Sequence, residues 1–282
     1  MRHEELNEAL SEILSSLDIR LRGKLSVLLP ALDLLEKRVA PGGEADAALL
    51  RYLGEARRAA FSILRLAKNL GDQAKYAVDY DMSDPVRTDL AVLFAEITAE
   101  TRKMAAYKKG SVTFTCSETP FFAFIDPGMM SRLLYNLLSN AVLYGESDVT
   151  VELKREDGSI LFKVRNSGGA GGGDTMARLI EGRSVLEAPE GAGSILGMGL
   201  SVASAIVCQC NGTMMATSDG AGGTTVTVSL PDLPGGDEGE LGIPDDPCAF
   251  PEYLVELSDF PAYHTEYNLQ RREDNPCATS MP

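Results

Sequence analysis

Two asparagines one helical turn apart are the first residues in this chain whose types and spacing suggest chemistry. Asn136 and Asn140 lie in the run Ser131-Arg132-Leu133-Leu134-Tyr135-Asn136-Leu137-Leu138-Ser139-Asn140-Ala141. Leu133, Leu134, Leu137 and Leu138 recur there at helical spacing. Residues four apart share a helix face, so the two amides stand together beside a leucine stripe. Asn is a mediocre helix former, because its short side chain competes for nearby backbone groups. One reading is a pair of solvated side chains. The other is a polar site at the edge of a core, where an amide carbonyl is a hard oxygen ligand of the kind Mg2+ accepts beside phosphates and water. Three more pieces follow in order: Asn166-Ser167-Gly168, Gly197-Met198-Gly199-Leu200 and Gly223-Thr224. Glycines before a helix let backbone amides approach a phosphate, and the helix dipole favours an anion there. One Gly-x-Gly is weak evidence, but four ordered pieces at the ends of successive elements form a constellation.

The elements that must position these residues are legible in outline. Asp89 to Lys108 reads as a helix with Leu90, Leu93, Phe94, Ile97 and Ala105 inward. Ser111 to Cys116 alternates like a strand, and Phe121 to Ile125 is a short apolar strand. Asp126-Pro127 then starts the asparagine helix, with Asp as N-cap and Pro at the first helical position. Val149 to Lys154 and Ile160 to Arg165 read as strands joined by a turn at Glu156-Asp157-Gly158. A glycine-rich stretch precedes the apolar helix Leu200 to Cys210, and a strand through Met214 and Met215 and the strand Thr224 to Leu230 close the unit. This order suits a mixed sheet covered on one face by helices.

In front of this unit lie two long apolar series. Leu14, Leu17, Leu21, Leu25, Leu28, Leu32, Leu35 and Val39 recur every three or four residues until Ala40-Pro41-Gly42-Gly43 breaks the pattern. Leu49, Leu53, Ala56, Ala60, Ile63, Ala67, Leu70, Ala74 and Ala77 then form a heptad seam. The expectation is an antiparallel helical hairpin over residues 1–80, completed to a four-helix bundle by homodimerisation through residues 4–80.

Bulk composition narrows the partners. The 282 residues are 44% hydrophobic and 24% charged, with a formal net charge of −15. Nucleic acid is excluded as an expected partner, because no excess of Lys or Arg exists to replace phosphate counterions. No apolar run of spanning length and no apolar leader core is present, so the expectation is a cytoplasmic protein without membrane insertion. Five cysteines at irregular spacing read as reduced thiols, and two histidines make a zinc site improbable.

The constellation resembles the ATP-binding domain of sensor histidine kinases, within the GHKL superfamily of gyrase, heat-shock chaperone, histidine kinase and MutL. Asn136 and Asn140 resemble its N-box, Asn166-Ser167-Gly168 its first glycine box and Gly197-Met198-Gly199-Leu200 its second; the hairpin resembles that family's dimerisation and phosphoacceptor domain. The resemblance covers roughly residues 10–230. It implies an α+β protein whose hairpin is followed, over 85–231, by a two-layer α/β sandwich of the Bergerat type. It implies ATP and Mg2+ as ligands, with Asn140 on the metal, Asn136 supporting the phosphates, and Tyr144 beside the nucleotide. Asn166, in place of an aspartate, and Thr224 would lie at the adenine, and Gly168, Gly197 and Gly199 would frame the lid. It further implies a response regulator or another histidine kinase as partner.

The departures are as informative. Aligning Leu21-Arg22-Gly23-Lys24-Leu25-Ser26 on the family's phosphoacceptor pattern puts Ile19 at the histidine and Arg20 at the adjacent acid. Ile offers no nucleophile and Arg accepts no proton. Leu143 replaces a lysine often found beside the phosphates, and Met176 to Ser184 lacks the usual phenylalanine box. The leading expectation is therefore a pseudokinase, scaffold or modulator that binds ATP without phosphorylating itself. One alternative is an active kinase that phosphorylates a partner or His3, which stands beside Glu4. Another is a nucleotide-free interaction module. From 232 to 282 the chain holds twelve acidic residues and two arginines. The expectation there is a disordered acidic tail, with Glu252 to Phe260 able to form a helical turn or two, and with a partner-binding or autoinhibitory role as the sharper alternative.

Overall fold

The computed structural model describes residues 21, 23–26, 28–32, 34, 35, 44–77, 85–105, 110–144, 148–168, 195–218, 223–233 and 252–258. The described residues from 21 to 35 are helical (α1). They are followed by α2 (Glu44–Ala77), β1 (Val86–Asp89), α3 (Leu90–Ala105), β2 (Ser111–Cys116), β3 (Phe122–Ile125) and α4 (Pro127–Tyr144). Then come β4 (Asp148–Glu156), β5 (Ser159–Asn166), α5 (Ile195–Gln209), β6 (Thr213–Ser218), β7 (Thr224–Pro231) and α6 (Glu252–Glu256). No helix among the described residues is long and apolar enough to cross a membrane.

Five strands form one mixed sheet in the order β2-β4-β5-β7-β6. Only β2 and β4 run parallel; the other neighbours are antiparallel. The parallel pair is possible because α4 lies between β2 and β4 in the chain and carries it back across the sheet. The β4–β5 connection is a tight hairpin in which Asp157 (φ 49°) and Gly158 (φ 73°) both adopt the left-handed region, as a two-residue turn matched to strand twist demands. Alternate residues of β4, β5 and β7 are buried, including Val151, Leu153, Phe162, Val164, Val226 and Val228. That face meets α3, α4 and α5 in one core, where Phe94 of α3 stands edge-on to Phe162 of β5 with ring centroids 5.3 Å apart. The result is the two-layer α/β sandwich expected from the resemblance. One strand was not foreseen: β1 pairs with β3 in a separate two-stranded ribbon. The residues read as a strand at 121–125 thus belong to this ribbon and not to the main sheet.

The hairpin does not stand apart from the sandwich. Helix α2 lies along α5 and also meets α6. Its heptad series splits into two columns. Leu53, Ala60 and Ala67 are buried, whereas Leu49, Ala56 and Ile63 are exposed. Leu25 and Leu29 of α1 join the same core as Ala60, Phe61 and Leu64. The exposed column shares the hairpin with Leu28, Leu34, Leu35 and Tyr52, all exposed, so one face of the helices is spent on the sandwich and another remains apolar and outward.

Helix α5 ends where Asn211 takes a positive φ of 53° and the Gly212 N–H donates to Val207 O at 2.8 Å. A Cβ at Gly212 would lie 2.5 Å from Leu230 Cδ2 and 2.6 Å from the Ser229 carbonyl oxygen. Gly212→Ala is expected to lower stability by about 1–3 kcal/mol through overpacking, read from the urea midpoint; an unchanged midpoint would contradict this packing.

Candidate functional site

Helix α4 starts as its sequence demands. Asp126 Oδ1 accepts the N–H groups of Gly128 (2.8 Å) and Met129 (3.1 Å), with Pro127 at the first helical position. Every residue from Ser131 to Val142 is buried. A helix on a two-layer sandwich normally keeps a wet face. Here α4 has α3, β4 and β5 on one side, and α5 and α6 against it as well. Its polar residues Arg132, Asn136, Ser139 and Asn140 therefore sit in protein interior, and the reading of two solvated asparagines fails: Asn136 is 0% and Asn140 3% exposed.

Burial obliges these groups to find partners. Asn136 Nδ2 donates to Arg132 O at 3.0 Å. Arg65 of α2 donates from Nη2 to Ser139 Oγ at 2.7 Å. Arg132 donates from Nε to Asp72 Oδ2 at 2.5 Å and from Nη2 to Asn69 Oδ1 at 2.6 Å, and its Nη1 pairs with Glu256. Two amide ends remain: Asn136 Oδ1 and Asn140 Nδ2 are buried without a hydrogen-bond partner among the described residues. An unsatisfied buried polar atom costs about 1–3 kcal/mol. A half-turn of the Asn140 amide exchanges its oxygen and nitrogen without changing its shape, so the unpartnered position can present an oxygen. This fits a hard cation or a polar group beside Asn140.

Gly199 explains how close the neighbouring helix comes. A Cβ there would lie 2.8 Å from Asn136 Oδ1 and 4.0 Å from Arg65 Nη2. Gly197 and Gly199 both fall in the opening turns of α5, and Gly199 brings that end of α5 against the asparagine helix. At the other end of the site, Asn166 closes β5 and Thr224 opens β7, directly opposite one another. Asn166 Oδ1 accepts the Thr224 N–H at 3.2 Å, and Asn166 Nδ2 donates to Gly168 O at 3.3 Å. Gly168 holds a φ of 69°, which a side chain would strain. Both functional groups of the Asn166 amide thus serve the chain itself, although its carbonyl has a second lone pair.

The structure accordingly joins Asn136 with Gly199, and Asn166 with Gly168 and Thr224. Tyr144 is the last residue of α4, and its side chain lies outside the described residues. So do Ile19, Arg20, His3 and the segment from Met176 to Ser184. Leu143, at the lysine position, packs half-buried against the core. Sequence reading missed the cations around α4: Arg65, Lys68 and Arg132. A signal existed, since Arg57, Phe61, Leu64, Arg65, Lys68 and Asp72 form a second helical stripe beside the heptad seam.

Residues 125–234 match the family described as histidine kinase-, DNA gyrase B-, and HSP90-like ATPase. Among relatives, the chain is 26% identical over 195 residues to a probable sensor histidine kinase HK of Mycobacterium tuberculosis, covering 69% of this chain and 49% of that protein. It is 28% identical over 122 residues to the sensor histidine kinase component HK1 of the same species, covering 43% of this chain and 72% of that protein. Among solved structures, full-length ShkA in complex with AMPPNP superposes with a TM-score of 0.61 at 21% identity, covering 78% of this chain and 45% of that one. The chain thus spans about half the length of the first of these relatives. Fold and site define a GHKL-type ATPase domain. Residues 125–234 carry a histidine-kinase-like ATPase domain of the kind found in two-component systems, and over a longer stretch the chain is similar to sensor histidine kinases.

Two expectations follow for the site. Gly199→Ala is expected to displace the Asn136 amide and to lower the urea midpoint, because the clash falls on a buried side chain with no room to turn; an unshifted Asn136 side-chain resonance would contradict the contact. Burial, with the charge of Asp126, pushes the Cys210 thiol up to about 11, while Cys208 is exposed. Since the thiolate is the reactive form, iodoacetamide at pH 8 should alkylate Cys208 well before Cys210, with the Cys210 rate still climbing as pH rises. Equal rates would contradict the assignment.

Proposed function

We propose that the chain binds ATP with Mg2+ in this domain and uses it as a regulatory ligand, not as a phosphoryl source for itself. The buried, unpartnered amide ends of Asn136 and Asn140 carry this reading. Asn140 would hold the metal, with Asn136 beside the phosphates. Gly168, Gly197 and Gly199 would let the backbone approach the phosphates. Asn166 and Thr224 would lie at the adenine and Tyr144 beside the nucleotide. Bound Mg-ATP would supply a transferable γ-phosphoryl group with its charge partly neutralised by the metal. With Ile19 and Arg20 at the acceptor positions, the chain has neither nucleophile nor base where its relatives' pattern places them. The protein then acts as a pseudokinase, scaffold or modulator in two-component signalling, toward a response regulator or another histidine kinase. The outward apolar column of the hairpin supports a homodimer, since such a face on a helix pair is satisfied by a second copy. Locally engaged Asn166 favours a second reading, a nucleotide-free interaction module.

Thermal unfolding separates the two. Ligand binding to the native state stabilises it by mass action, by about 2.7 kcal/mol at a hundredfold excess over Kd. The melting temperature should rise by several degrees in millimolar Mg-ATP, and Asn140→Ala should abolish the rise. No rise in the wild-type chain would favour the module. With γ-labelled ATP, the account expects no base-stable, acid-labile label on the chain; such a label would establish an active kinase.

A further inference from the structure

Within a tail otherwise expected to be disordered, Glu252 to Phe260 were read as able to form a helical turn or two, and residues 252–258 do so. They form α6 and a following turn closed by the Leu257 N–H donating to Tyr253 O at 2.9 Å. Five residues are too few to recover the cost of helix nucleation, so α6 depends on what it docks against. It rests on α2, α4 and α3, with Tyr253, Val255, Glu256, Leu257 and Ser258 all buried.

The surface beneath it is cationic. Arg65 Nε and Lys68 Nζ of α2 lie 3.7 and 3.6 Å from the Glu256 carboxylate, and Arg132 of α4 pairs with it directly. Glu256 itself is fully buried. Arg132 is also bound by Asp72. Without Glu256, Arg65, Lys68 and Arg132 would lose the carboxylate they share, a loss that low-dielectric surroundings make costly. Charge and shape therefore ask for the same thing, a short helix with apolar residues on either side of a carboxylate. The seam also runs into the asparagine helix: Arg65 reaches Ser139, and the Arg132 carbonyl receives Asn136 Nδ2.

The geometry points to a docking site between α2 and α4 for a short acidic amphipathic helix, filled in this chain by its own residues 252–258. Seating of this helix holds α2 against the face of α4 that carries Arg132, Asn136 and Ser139. Its departure leaves the three cations to be solvated and frees α2 from that face, so the C-terminal segment is a lock on the hairpin. The inference stands on these contacts alone and is independent of whether nucleotide binds.

Hydrogen exchange on the full chain tests it, with Glu256→Gln removing the charge at constant shape and Tyr253→Ser removing an apolar anchor. Both variants are expected to speed amide exchange about tenfold or more in residues 57–72 and 252–258 while leaving β4, β5 and β7 protected. Unchanged exchange in 57–72 would overturn the lock. Equal loss of protection across the sheet would overturn it too, because Glu256 would then be a general core residue.

Discussion

The structure depends on how Arg132 is held. Its guanidinium is buried in the middle of three elements, with Asp72 and Asn69 from α2 and Glu256 from α6 around it. A buried guanidinium is tolerable only when its donors are matched, so these elements stand or fall together. Because Arg132 is one turn ahead of Asn136, the same contact sets where the asparagine helix presents its amides. The helical hairpin is thereby tied to the ATPase-type domain through α4 as well as through α5, which lies along α2.

This arrangement gives α4 an unusual burden. It packs its leucines on the sheet in the ordinary way, yet its polar face is also covered. Ser139, Asn136 and Arg132 are engaged by α2, by Glu256 and by the helix itself, while among the described residues one end of the Asn140 amide and the Asn136 oxygen are left without a hydrogen bond. The leftover atoms lie where the chain's likeness to GHKL-type ATPases would put a ligand. At the Asn166 end the balance differs, since Asn166 spends both ends of its amide on Thr224 and Gly168. The candidate site thus has unpartnered amide atoms at one end and a self-satisfied backbone brace at the other.

Much of this was legible in the sequence where local rules decide. The Asp126-Pro127 helix start, the Asp157-Gly158 hairpin turn and the Asn211-Gly212 helix stop are each fixed by residues adjacent in the chain. The alternation in β4, β5 and β7 announced a sheet with one buried face. What was not legible required knowing which surfaces meet. The β1–β3 ribbon pairs the strand read at 121–125 with β1, a four-residue strand too short for a periodic signal and separated from it by α3 and β2. The split of the heptad seam reflects α2 resting on α5, which no pattern within α2 can reveal. Glu256 looked like one acid among many in an acidic tail, because its three cationic partners are scattered between Arg65 and Arg132. The candidate site showed the same division: its residue types were visible as spaced motifs, whereas the burial of Asn136 against Gly199 was not.

The central claim is that the chemistry of the site resides in the buried, unpartnered amide ends of Asn136 and Asn140, held in place by a braced helix. Side-chain amide NMR of Asn136, Asn140 and Asn166 during titration with Mg-ATP addresses it directly. The account predicts saturable shifts of the Asn140 and Asn136 amides and a smaller one at Asn166, whose amide is already engaged by Thr224 and Gly168. Resonances of all three unchanged at millimolar Mg-ATP would contradict it.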